Sequence, residues 1–146
     1  MAAEDLAAGC HGGCCHNSTG AVIDIDLTVA DPAREQDYVP ALETAGFRLI
    51  IRESWWHGHR MLQSDQPPCN LHVFGFDSPE LIKHRIFRDW LRGNPGERDR
   101  YAAAKRRAAS EAHAAGEHVM QYNARKQQVT RNIYLRAFTA AGLHEA

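Results

Sequence analysis

Ala21-Val22-Ile23-Asp24-Ile25-Asp26-Leu27-Thr28-Val29 is the stretch on which the reading of this 146-residue chain turns. Its β-branched residues favour an extended backbone, and the run has the length of a buried strand. Side chains on a strand alternate between faces, so Asp24 and Asp26 share one face, about 7 Å apart. Ile23, Ile25 and Leu27 then point to the other face and into a core. Two carboxylates side by side repel each other unless a positive charge stands between them. A magnesium ion meets that need, because it takes hard oxygen ligands and completes its shell with water and substrate phosphates. A solvated acidic strand face accounts for the same pattern without a ligand.

Downstream, Asp31-Pro32 supplies an N-cap and a proline suited to the first helical position. Val39, Leu42 and Ala45 give that helix an apolar stripe, Gly46 sits at its expected end, and Pro40 implies a bent or late start. Phe47 to Glu53, His59 to Gln63 and Asn70 to Phe76 read as three more strands, with a turn at Ser64 to Pro68. Their short links predict antiparallel neighbours. From Ser78-Pro79 the period changes from two to 3.6. Leu81, Ile82, Ile86, Trp90 and Leu91 form one helical face, ended by Gly93-Asn94-Pro95. An alanine-rich helix over about 95–115 and another over about 117–141 follow, with Gly142 as the last stop. The order predicts an α+β fold: a mixed sheet of about four strands, then a helical C-terminal half.

Composition agrees with a folded chain, at 44% hydrophobic and 24% charged residues. No apolar run approaches the roughly 20 residues that cross a bilayer, and the acidic start is unlike a secretory leader, so a cytoplasmic protein without a membrane partner is expected. The net charge of −1 averages two opposed halves. Residues 1–82 carry four Arg/Lys and twelve Asp/Glu, whereas residues 83–136 carry thirteen and five. The division falls where the period switches from strand to helix.

Other chemistry-bearing residues divide into several groups. Cys10, Cys14 and Cys15 crowd with His11 and His16 into one segment, while Cys69 stands apart. That spacing matches no zinc pattern, and a disordered N-terminal segment over 1–20 is the plainer reading. His72 lies on a strand and is a candidate for metal or phosphate contact, or a structural hydrogen-bonding residue. Trp55-Trp56-His57-Gly58-His59-Arg60 joins two strands, where its rings either stack on a base or cap the sheet. Arg52 and Arg60 are the best phosphate partners near this link, since a guanidinium fork matches phosphate oxygens. Arg85, Arg88 and Arg92 form a basic helical stripe beside Asp89, but no recognition motif accompanies it and nucleic acid is not the expected partner.

Several stretches together resemble the GrpB family of the nucleotidyltransferase superfamily. They are Val22-Ile23-Asp24-Ile25-Asp26, Gly46-Phe47-Arg48, Asn70-Leu71-His72-Val73, Phe87-Arg88-Asp89-Trp90-Leu91-Arg92, Tyr101-Ala102-Ala103-Ala104-Lys105 and Tyr122-Asn123-Ala124-Arg125-Lys126. The resemblance implies one nucleotidyltransferase-like domain over residues 21–142. It further implies magnesium held by Asp24 and Asp26 as catalytic carboxylates, a nucleoside triphosphate as donor and an unnamed acceptor. Ser18, Thr19, Arg52, Arg60 and His72 become the nucleotide- or phosphate-binding candidates. The chain departs from the family pattern at its start. Asn17-Ser18-Thr19-Gly20 abuts the strand directly, where similar proteins carry a helix, a Gly-Ser-Thr turn and a Val-Pro-Gly-Leu loop first. An atypical or truncated N-terminus is the expectation that follows. The departure favours an alternative in which the domain is inactive and serves as a binding or accessory module. The partner would be a protein such as the dephospho-CoA kinase to which some family members are fused.

Overall fold

Five strands and four α-helices follow one another along the chain in a computed structural model that describes residues 8–10, 22–115 and 119–143. The strands are β1 (Ala8–Cys10), β2 (Ile23–Val29), β3 (Arg48–Glu53), β4 (His59–Asp65) and β5 (Pro68–Gly75). The helices are α1 (Val39–Thr44), α2 (Pro79–Gly93), α3 (Pro95–Ala115) and α4 (Val119–Ala140). The chain divides into two compact units, residues 1–82 and 83–146, the same place at which its charge changes sign. The expected single domain over 21–142 encompasses parts of both.

In the first unit the strand order is β1-β2-β5-β4-β3. β2 runs parallel to β5, while β5-β4 and β4-β3 are the antiparallel pairs that the short links imply. The sheet is therefore mixed, as expected, and β1 adds a fifth strand antiparallel to β2. That short strand occupies part of the segment expected to be disordered; the rest of residues 1–20 lies outside the described residues.

Leu27, Val29, Leu62, Leu71 and Val73 line one face of the sheet and bury themselves with Tyr38. Ile25, Val39, Leu42, Phe47 and Leu49 pack around them. Leu62 and Val73 are wholly buried, and each such side chain stabilises the fold by about 1.5–3 kcal/mol. Ile23, expected in this core, is exposed, so the core begins one pleat later, at Ile25. The helix after Asp31-Pro32 does start late. Asp31 Oδ1 accepts from the Ala33 amide at 2.9 Å, a short 3-10 turn follows at Glu35–Asp37, and α1 places Pro40 in its first turn, where a missing amide costs nothing. Gly46, at φ 89°, ends α1, with the Phe47 amide donating to the Leu42 carbonyl and the Gly46 amide to the Glu43 carbonyl. This double closure needs a left-handed residue, which glycine adopts without strain.

One irregularity lies in β3. Arg48 and Leu49 pair with Gln63 and Leu62, but the register then shifts, and Ile51, Arg52 and Glu53 pair with Met61, Arg60 and His59. The extra residue, Ile50, is a β-bulge on the edge strand.

In the second unit α3 packs on α4 through Ala108, Ile133 and Ala137, all buried. Phe87 of α2 stacks on Tyr134 of α4, with centroids 4.3 Å apart, and meets Tyr101 of α3 edge-on. The buried Glu97 accepts from Arg136 at 2.6 Å and from Arg100 at 3.0 Å. No helix among the described residues is long and apolar enough to cross a membrane.

Candidate functional site on the aspartate face

The face of the sheet opposite the core carries Asp24, Asp26 and Thr28 from β2 and Asn70, His72 and Phe74 from β5. In the parallel register Asp24 stands beside Asn70 and Asp26 beside His72. Asp24 is mostly exposed, whereas Asp26 is 5% exposed. The pair is thus one solvent-facing carboxylate and one sunk into the sheet. The Asn70 amide donates to Asp24 Oδ1 at 2.9 Å and its own carbonyl accepts from Gln63 at 3.0 Å, which orients both side chains.

Across β5 and β4 a chain of polar groups leads away from Asp24. His72 Nε2 stands 3.8 Å from Asp24 Oδ1. His72 Nδ1 lies 3.0 Å from His59 Nε2, and His59 Nδ1 lies 2.8 Å from Glu53 Oε2. His59 is buried, stacked on Phe74 at 4.8 Å and met edge-on by Trp56 at 5.0 Å. Burial pushes its pKa below the ordinary histidine value, against the opposing pull of the Glu53 carboxylate. Of the two adjacent tryptophans, Trp56 caps this end of the sheet while Trp55 is 82% exposed.

Arg52 and Arg60 stand on the other face. Arg60 pairs in register with Val73, a core residue, and Arg52 pairs with Arg60. Both guanidiniums are engaged by Glu35: Arg52 forks onto it through Nε and Nη2, each at 2.8 Å, and Arg60 Nε donates at 2.8 Å. The structure therefore separates these two arginines from the aspartates and His72, with which sequence reasoning had grouped them. Their position is explained by the acid they share, since Arg60 is buried and needs a counter-charge. Ser18, Thr19, Cys14 and Cys15 lie outside the described residues, and Cys10 falls in β1. Glu53, Asn70 and Gln63 are the members of the face that sequence reasoning missed as site residues, and His59 enters there only as part of the tryptophan–histidine link. The available signal was the shared strand parity of His59, Gln63, Asn70 and His72, which became usable only with the strand pairing.

In the helical unit the basic stripe is partly neutralised, with Arg88 donating to Asp89 at 2.8 Å. A groove of 460 Å³ along α3 and α4 has Arg100, Arg107, Arg125 and Arg136 on its walls, paired with Glu97 and Glu111. It contains none of the aspartate-face residues.

Comparison with known proteins assigns the chain to a family. The family model described as GrpB protein matches residues 17–136, most of the chain. The chain belongs to the GrpB family. A UPF0157 protein of Halalkalibacterium halodurans is 40% identical over 116 residues, which are 80% of this chain and 58% of that protein. A UPF0157 protein of Streptomyces coelicolor is 34% identical over 85 residues, 58% of this chain and 44% of that protein. This GrpB chain thus spans about half the length of the curated relatives it matches. The crystal structure of the conserved protein GrpB from Enterococcus faecalis superposes with a TM-score of 0.67 at 22% identity, over 83% of this chain and 72% of that one. At that identity the likeness establishes the α+β fold.

Proposed function

We propose that the aspartate face is a divalent-metal and nucleotide site, used to transfer a nucleotidyl group from a nucleoside triphosphate to an acceptor not yet known. The observation that carries this reading is the placement of Asp24 and Asp26 on one face of β2, with Asn70 fixing the exposed Asp24 carboxylate. The donors suit magnesium, which binds through one or two carboxylates and leaves its other positions to water and phosphate oxygens. Asp24 and Asp26 would hold it, and when bound it would offset charge on the transferring phosphoryl group. Asp24, held by Asn70 and Gln63, is preorganised toward solvent. Asp26 lies buried beside His72, beneath the face. Such transfer asks little covalent work of the protein and depends on positioning and charge. A cytoplasmic setting, where nucleoside triphosphates are available, belongs to the same reading.

The test is calorimetric titration of magnesium and ATP into the purified chain and into the Asp24→Ala/Asp26→Ala variant. Binding by the first and not by the second is the expected result. Equal absence of binding in both sinks the reading. One observation favours a second reading, a non-catalytic binding or accessory domain: Arg52 and Arg60 are committed to Glu35 and are not on the aspartate face. In that case the chain binds a protein partner and leaves ATP untouched.

A further inference from the structure

The groove along α3 and α4 concentrates more positive charge than its acids offset. Arg100 and Arg136 share Glu97, at 3.0 and 2.6 Å, and Arg107 and Arg125 share Glu111, at 3.4 and 3.0 Å. Each carboxylate therefore joins an arginine of α3 to one of α4. Four guanidiniums against two carboxylates leave a surplus of two positive charges along a groove of 460 Å³. Arginine cannot shed that charge, because it stays protonated at any ordinary pH. Among the described residues that line the groove, Glu111 is the one acid. Asn132 lines it too, and its carbonyl already accepts from Gln128 at 3.0 Å, so toward a ligand it offers N–H donors. The lining is thus mostly donors and fixed positive charge, the chemistry that selects an anion.

We propose that this groove binds a small organic phosphate: a phosphomonoester whose dianionic group is held by the arginines and whose apolar body rests on Ala103, Ala104 and Val129. Four features point to that class. A phosphomonoester carries about −1.5 to −2 charges at neutral pH, which matches the surplus. Its terminal oxygens accept from several guanidiniums at once, in the paired geometry that a planar fork provides. The volume falls within the range of small-molecule sites, roughly 300–1,000 Å³, and suits a compact ligand rather than a polymer laid along the surface. Ala103 and Ala104 stand between Arg100 and Arg107 on α3, and Val129 between Arg125 and Arg136 on α4, so each wall carries apolar surface between its charges. Glu97 and Glu111 hold the guanidiniums in place before a ligand arrives, which lowers the ordering cost of binding. Arg100 and Arg107, with side chains 69% and 80% exposed, are reached directly from solvent. The site lies wholly within the second unit and requires neither the aspartates nor magnesium.

The experiment titrates phenyl phosphate and inorganic phosphate into the full chain in magnesium-free buffer, with calorimetry for affinity and backbone amide spectra for location. One equivalent of phenyl phosphate should bind, more tightly than inorganic phosphate, and should move amide resonances of α3 and α4. Arg100→Gln/Arg107→Gln should weaken it about 10- to 100-fold, the loss expected for charged hydrogen bonds. Ala103→Leu removes no charge but fills the groove, and should weaken phenyl phosphate more than inorganic phosphate. Ala103 is exposed, so this variant keeps its fold and the test stands even if the arginine variant loses helix. Arg85→Gln/Arg92→Gln removes the same charge from α2, outside the groove, and should bind as the parent does, as should Asp24→Ala/Asp26→Ala. Absence of binding, an equal loss in the α2 and groove variants, indifference to Ala103→Leu, or a loss in the aspartate variant each overturns the proposal. Phenyl phosphate held in the groove by a chain that ignores magnesium and ATP at the aspartates would uphold this site while defeating the transfer reading.

Discussion

His59 and His72 face each other ring to ring, with Nε2 of one 3.0 Å from Nδ1 of the other and only 20° between their planes. The pair joins β4 to β5 through side chains as well as through the backbone ladder. His59 is held from three sides by Glu53, Trp56 and Phe74, and so cannot turn to another partner without breaking packing. Replacing it with leucine keeps much of the volume and strands two polar groups, Glu53 Oε2 and His72 Nδ1. Urea unfolding should register a loss of about 2–3 kcal/mol. A loss below half of that would mean the chain of polar groups contributes little to the fold.

Glu35 is held ionised by two arginines of the first unit. Its pKa falls from 4.5 to about 2, chiefly because Arg52 donates to it; burial opposes the fall and Arg60 adds to it. A carboxyl depressed on folding stabilises the native state fully above its unfolded pKa, and the contribution drains away as pH falls from about 4.5 toward about 2. Glu35→Gln should cost about 3 kcal/mol at neutral pH, because Arg60 is left buried without its counter-charge. It should also flatten the stability–pH curve across that acid window. Denaturant midpoints measured for both proteins through the window decide it, and parallel curves would contradict the assignment.

Trp55 and Trp56 are neighbours with opposite roles. Trp56→Ala removes the ring that covers His59 and Phe74 and should cost about 3 kcal/mol. Trp55→Ala, at a site 82% exposed, should stay within about 0.5 kcal/mol of the parent. Thermal melts of the two variants side by side provide the comparison.

Ile133 is wholly buried in the helical unit. Ile133→Ala opens a cavity there and should destabilise by about 2–5 kcal/mol, followed through the helical circular-dichroism signal. A shift within the error of the parent would mean that the helices close over the gap.

Much of this fold is legible in local sequence. Gly46 and Gly142 mark their helix ends because a left-handed residue is needed there, and both have positive φ. The β-branched run around Asp24 and Asp26 gives a strand whose two faces differ, and the change of period near Ser78 locates the first long helix. Local pattern fails where long-range pairing decides. Glu53 and His72 are 19 positions apart, and nothing in either neighbourhood indicates that His59 bridges them. Arg52 and Arg60 look available for phosphate as long as Glu35, well upstream, is not known to sit between them.

The bulge at Ile50 has an effect out of proportion to its size. Before it, β3 keeps one parity with β4: Arg48 shares the aspartate face with Gln63, and Leu49 shares the core face with Leu62. After it, the parity inverts. Counting through without the extra residue would set Arg52 against His59. Counting with it sets Glu53 there and sends Arg52 to Glu35. One inserted residue therefore decides whether the group beside the buried imidazole is an acid or a base, and with it the electrical sign of that end of the site. Any alignment of related chains through β3 carries the same stake: a single gap placed at this position exchanges a carboxylate for a guanidinium on the aspartate face.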